Sequence, residues 1–175
     1  LWSILLFACL AGSTSFSVNP MMWWLDGYRA YTVSTPDMNP TIAPNETVVA
    51  DAYAYRHAVP HRGDVVISGV HRMADTTLNR VIAIPGDTIE GRNGQIILND
   101  IPVQESYVPA GSTSIDVAAS TDEHFKKLDT FGPVKLGPGE YFRVGVNRGL
   151  SQGSRIAGTV DLDLIGGMAR YVSSS

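Results

Sequence analysis

The sequence predicts an all-β fold following an N-terminal apolar segment, and three observations predict it. Beyond residue 30 the apolar residues alternate or fall in short runs, as in Thr47 to Ala50, Val65 to Ile67, Arg80 to Ile84, Gln95 to Leu98 and Tyr141 to Gly145. Runs of that length suit strands rather than helices. Breakers recur between them, at Pro44-Asn45, Arg62-Gly63-Asp64, Pro85-Gly86-Asp87, Gly132-Pro133 and Gly137-Pro138-Gly139, the turn spacing of a compact β-protein. Finally, Asn93-Gly94 and Asn99-Asp100 are hairpin-tip sequences, because a tight turn needs positive φ values that Asn, Asp and Gly tolerate. They make residues 87–103 a β-meander.

Taken in order, the chain opens on Leu1 to Leu10, almost uninterrupted apolar sequence. Residues 1–18 are expected to be part of a membrane anchor that continues upstream. Alone they fall short of the ~20 apolar residues a crossing needs, and Ser13, Thr14, Ser15 and Ser17 weaken their second half. A cleaved secretory segment is the competing reading, although no small-x-small site with a basic flank accompanies it. Trp23 and Trp24 suit either a headgroup region or an ordinary core. Residues 19–172 form the β-domain. Within it, 110–130 is polar and weakly periodic, a surface insertion with room for one short helix near 120–128, where Thr121 caps and Glu123 sits in the first turn. Ser173, Ser174 and Ser175 are expected to be a disordered tail.

With 175 residues, 44% hydrophobic and 17% charged, the chain suits one domain with a sizeable core. A net charge of −4 and the lack of a polybasic run give no reason to expect nucleic acid as a partner. The one cysteine, Cys9, lies in the apolar stretch, so neither an intrachain disulfide nor a cysteine-based metal site can be built. His57, His61 and His71 show no recognised zinc spacing with Asp64 or Asp75, and no metal or other cofactor is expected.

Five segments carry a more specific signal: Ser34-Thr35-Pro36-Asp37-Met38-Asn39-Pro40-Thr41-Ile42; Arg62-Gly63-Asp64-Val65-Val66; Leu78-Asn79-Arg80-Val81-Ile82-Ala83-Ile84-Pro85-Gly86-Asp87; the meander from Asp87 to Val103; and Tyr141 to Arg155. In order and spacing they resemble S-x-S-M-x-P-T, R-G-D-V-V, K-R-V-I-G-x-P-G-D, G-D-x-V-x-x-x-N-G-x-x-x-x-N-G-x-x-V and Y-F-x-x-G-D-N-R-x-x-S-x-D-S-R of the type I signal peptidases. Each alone is a common turn sequence, but five in order are specific. The resemblance implies a membrane-anchored, mostly antiparallel β-domain on the extracytoplasmic side of a cell membrane, acting on the signal-peptide segments of exported proteins.

The resemblance also implies a serine nucleophile and a lysine general base, and this chain departs at both. Asp37 stands at the serine and Asn79 at the lysine. A lysine accepts a proton near neutral pH only when desolvation lowers its pKa, and an amide is not basic at all. At two aspartates of the family pattern stand Val146 and Gly153, and the arginines those aspartates are thought to pair with are Arg80 and Arg155. The site's charges therefore read as rearranged together. Asp37 is expected to pair with Arg80 or to accept a hydrogen bond from Asn79, with a solvated loop carboxylate as the alternative.

Thr35 matches the family's oxyanion-hole hydroxyl and Ser151 the serine that orients the lysine, while Met38 and Pro40 match the turn around the nucleophile. Each also has a plain reading, as a loop hydroxyl or a turn former. A displaced Ser34 nucleophile with a histidine base has little support. The expectation is a non-catalytic, membrane-anchored protein that binds a peptide or helps to assemble exported proteins; the alternative is an active serine-type signal peptidase.

Overall fold

Left-handed residues close the tight turns where the sequence supplies Asn, Asp and Gly. Asn93 (φ 50°) and Gly94 (φ 78°) join β5 (Thr88–Arg92) to β6 (Gln95–Leu98), and Asn99 (φ 50°) and Asp100 (φ 66°) join β6 to β7 (Ile101–Pro102). Both central residues have positive φ, as a twist-matched two-residue turn requires. The meander predicted for 87–103 is therefore present. β8 (Phe131–Lys135) pairs with the other edge of β5, giving a four-stranded sheet in the order β7-β6-β5-β8. The computed structural model of the chain describes residues 27–69, 77–109, 128, 130–151 and 153–173.

A second, seven-stranded sheet has the order β1-β2-β11-β3-β4-β9-β10. It contains β1 (Tyr28–Thr32), β2 (Thr47–Asp51), β3 (Val65–Ser68), β4 (Thr77–Ala83), β9 (Glu140–Val144), β10 (Val160–Asp161) and β11 (Ile165–Ser173). Every pairing in both sheets is antiparallel. The fold is thus all-β, as the short apolar runs imply. One five-residue helix, α1 (Gly153–Ala157), and a 3-10 turn at Leu162–Leu164 complete the regular structure among the described residues.

Strand limits differ from the apolar runs where pairing overrides hydrophobicity. β4 begins three residues earlier than the run from Arg80, because Thr77, Leu78 and Asn79 pair with Ser68, Ile67 and Val66. β9 stops at Val144, and Gly145 leaves the ladder to approach the 33–42 loop. β11 runs through Ser173, which pairs with Thr47, so the first of the three terminal serines is strand. The apolar stretch 1–18, the tryptophans at 23 and 24, His71, Ser174, Ser175 and, apart from Leu128 and Thr130, the insertion with its expected helix lie outside the described residues. Among the described residues no helix is long and apolar enough to cross a membrane.

Two apolar clusters frame the site. Ile82, Ala83, Ile89, Ile96, Leu136, Phe142 and Val144 join the two sheets, with Phe131 stacked on Phe142 at 5.2 Å between centroids. Val33, Met38, Ile42, Val48 and Val146 form a second cluster beneath the loop that follows β1.

The sheets are also tied by Asp87, in the turn between β4 and β5. Its carboxylate accepts from Arg62 Nε (2.9 Å) and Nη2 (2.5 Å), from the Ile84 amide (2.9 Å) and from Asn99 Nδ2 (2.9 Å). Burial alone would raise its pKa, but these hydrogen bonds and the Arg62 charge outweigh burial and hold it below the usual carboxylate range. A depressed folded-state pKa adds stability that is fully present above the unfolded value, near 3.9, and is lost as pH falls through the folded value. Thermal melts are expected to show such a loss below about pH 4, with a smaller slope in Asp87→Asn. Equal slopes would exclude Asp87 as its source.

Candidate functional site

The site begins with the loop after β1. Met38 (1% exposed) and Ile42 (2%) anchor it in the cluster shared with Val146 (0%). The loop closes on itself through Ile42 N–H to Met38 O (3.0 Å) and docks on the segment that follows β9 through Asn147 N–H to Asp37 O (2.9 Å). Gly145 makes this approach possible, since a Cβ there would lie 2.4 Å from Asp37 O and 2.3 Å from Ser151 Oγ.

The side chain of Asp37 turns to its own loop, where Thr35 Oγ1 donates to Asp37 Oδ2 at 2.8 Å. Among the described residues Asp37 forms no ion pair. Asn79 (2% exposed) lies inside the sheet. Its Nδ2 is 3.5 Å from Ser151 Oγ, which also accepts the Gly145 amide at 3.0 Å, and its Oδ1 accepts from Arg143 Nη1. Arg143 is the residue that sequence reasoning missed. It occupies an unassigned place in Tyr141-Phe142-Arg143-Val144, and its one signal is a charge set between apolar strand residues. Burial pulls its guanidinium pKa down.

The expected contact of Asp37 with Arg80 or Asn79 is absent. Arg80 Nη1 donates instead to Gly63 O at 2.7 Å, and its guanidinium lies over the Tyr107 ring at 4.3 Å. Each group is engaged elsewhere: Arg80 by Gly63 O and the Tyr107 ring, Asn79 by Arg143 and Ser151, and Asp37 by Thr35 on its own loop.

The missing family aspartates have structural replacements. Position 146 is a fully buried apolar site, where Val146 packs with Met38 and Val48. At position 153 a Cβ would stand 2.6 Å from Arg143 O, and Gly153 adopts φ 48°, so a side chain there would strain the helix start. Arg155 donates to the carbonyls of Leu128 (2.9 Å), Arg148 (2.7 Å) and Ser151. Arg148 pairs with Glu105 at 2.5 Å and donates to Gly145 O at 2.9 Å. Tyr107 also donates to Glu105, at 2.6 Å. Burial, followed by the bond to that carboxylate, raises the Tyr107 pKa well above its ordinary value. No sequence signal marked Glu105, in a polar stretch without a motif.

Beside the loop is a cavity of about 320 Å³, lined by Val33, Thr35, Val48, Ile67, Thr77 and Leu78 among others. Of the expected site residues, Thr35 lines it, Met38 lies beneath in the core, Pro40 is exposed after a cis Asn39-Pro40 bond, and Ser151 is buried beside Asn79. His57 and His61 are exposed on the 52–64 loop, and neither hydrogen-bonds to Ser34.

Three comparisons bear on this arrangement. Residues 4–173 match the family described as signal peptidase, peptidase S26. The chain is 33% identical over 131 residues to signal peptidase I S of Bacillus subtilis, covering 73% of this chain and 66% of that protein. It is 30% identical over 132 residues to signal peptidase I V of the same organism, covering 74% and 76%. A signal peptidase I structure from Enterococcus faecalis has 24% identity and a TM-score of 0.48, covering 62% of this chain and 95% of that one. This chain therefore belongs to the signal peptidase S26 family.

Proposed function

We propose that this family member holds, without cleaving, an extended segment of an exported protein. In this reading residues 1–18 contribute to a membrane anchor, and the β-domain works on the extracytoplasmic side. The cavity beside β1, an edge strand of the larger sheet, offers a place for such a segment, because a sheet edge presents unpaired backbone groups for strand addition.

The observation that carries the non-catalytic reading is the condition of position 79. Asn79 has no basic nitrogen, and its amide is engaged on both sides, by Arg143 and by Ser151. Arg143 cannot replace a lysine base, since a guanidinium stays protonated even when burial lowers its pKa. Asp37 is a carboxylate held by Thr35, and among the described residues no second carboxylate shares a hydrogen bond with it. Family membership favours the second reading, an active signal peptidase, through Thr35 and Ser151, which keep the positions that the resemblance assigns them.

The purified chain in detergent is expected to leave a signal-peptide substrate intact while binding it. Cleavage that survives Asp37→Ala would overturn a role for this site, and cleavage abolished by Asp37→Ala would establish the catalytic reading.

A further inference from the structure

Arg143 sits on β9 between buried Phe142 and Val144, opposite Val81 of β4. Its guanidinium is largely withdrawn from water, yet it makes one hydrogen bond, from Nη1 to Asn79 Oδ1. Nε is buried without a partner. Among the described residues no carboxylate lies within 4.0 Å of it. The neighbouring cations are all engaged: Arg148 with Glu105, Arg155 with three carbonyls, and Arg80 with Gly63 O and Tyr107. A buried charge without a counter-ion is costly, and arginine cannot escape that cost by losing its proton. With Nη1 on Asn79 and Nε closed off from solvent, Nη2 is the donor left for a carboxylate, in a charge-assisted hydrogen bond. Arg143 as a whole retains partial exposure.

We propose that Arg143, with Asn79 holding one arm of its guanidinium in place, is a receptor for a carboxylate of the bound peptide. The inference rests on the peptide-holding reading above and extends it, since it gives the ligand a chemical feature that cleft shape alone does not. The carboxylate would be a chain terminus or an Asp or Glu side chain. In either case it supplies a counter-ion that none of the described residues provides. Asp37 does not meet that need, because its carboxylate is held on its own loop by Thr35.

The test uses the full chain in detergent and three labelled peptides of one strand-forming sequence: a free C-terminal acid, the C-terminal amide, and the amide with one internal Glu. The acid, the Glu peptide or both are expected to bind about tenfold or more tighter than the plain amide, the worth of a charge-assisted hydrogen bond. Which of them does so identifies the source of the carboxylate. Arg143→Met should abolish that preference, and Arg143→Lys should restore part of it. Equal binding of all three by the unaltered chain would overturn the carboxylate inference and leave the cleft reading standing.

Absence of binding by any peptide would count against the cleft, and a second measurement then decides the inference alone. At equal ionic strength, about 0.1 M acetate in place of chloride is expected to raise the Tm by about 1 °C or more, and Arg143→Met to lose that response. No acetate effect, or one that persists in Arg143→Met, would overturn it. Arg143→Met should also raise the Tm in chloride, whereas a purely structural role for the guanidinium would lower it.

Discussion

The Asp37→Ser, Asn79→Lys double variant is expected to leave a signal-peptide substrate uncleaved, and a triple variant adding Arg143→Met to cleave it at least about a hundredfold faster. The obstacle is Arg143. A neutral lysine amine has one lone pair, and it must accept the serine's proton. Arg143 Nη1 already donates to the side chain at position 79. It would donate to the amine as well, taking the lone pair that catalysis needs. A methionine of similar length keeps the packing and removes the donor. The surrounding shell is ready: Ser151 stands beside position 79, Gly63 O and the Tyr107 ring hold Arg80, and three carbonyls hold Arg155, without the family's aspartates. Product formation in detergent reads the outcome. Measurable and equal activity in the double and triple variants would show that Arg143 does not block the site, and inactivity of both would trace the loss to Val146 and Gly153.

Gly145→Ala is expected to lower stability by about 2–3 kcal/mol, the upper range for overpacking, which is roughly 4–12 °C in Tm for a chain of this size. The added methyl would meet Asp37 O at 2.4 Å and Ser151 Oγ at 2.3 Å. The first is backbone fixed by the Asn147 amide, and the second is buried between the Gly145 amide and Asn79. Neither can yield without detaching the 33–42 loop. Faster hydrogen exchange at the Asn147 amide should accompany the lower Tm, because its acceptor is Asp37 O. Gly137→Ala is the control: its Cβ would meet the flexible end of Glu140 at 3.1 Å, and it should cost less than about 1 kcal/mol. Equal losses in the two variants would refute the steric account.

Much of the fold was legible because turn chemistry is local. Asn93-Gly94 and Asn99-Asp100 announce their backbone angles, and the short apolar runs between breakers mark β2, β3, β6 and most of β9. Strand limits were less legible. Thr77 and Leu78 become strand only because Ser68 and Ile67 lie opposite, a partner choice that no window of sequence contains.

The site was legible in its positions and not in its contacts. Order and spacing marked Thr35, Asp37, Asn79 and Ser151, and the structure brings Thr35 to Asp37 and Asn79 to Ser151. The contact expected for Asp37 is absent because Arg80 is engaged by Gly63 and Tyr107, and Asn79 by Arg143 and Ser151, partners that a motif along the chain does not name. Glu105 joins Arg148 from 43 residues away, and Arg143 reaches Asn79 across 64. Pairings at such separations depend on which strands adjoin.

By itself, the sequence determined the all-β class, the two tight hairpin turns, the family resemblance, and the loss of the hydroxyl and the amine from positions 37 and 79. Those properties belong to residue identity and to backbone preferences over a few residues. Only the tertiary structure decided where the remaining charges go: Asp37 to Thr35, Arg80 to Gly63 and Tyr107, Arg148 to Glu105, and Arg143 into the buried neighbourhood of Asn79. A charge settles where burial, nearby acceptors and strand facing balance, and those three conditions exist only after the sheets have formed.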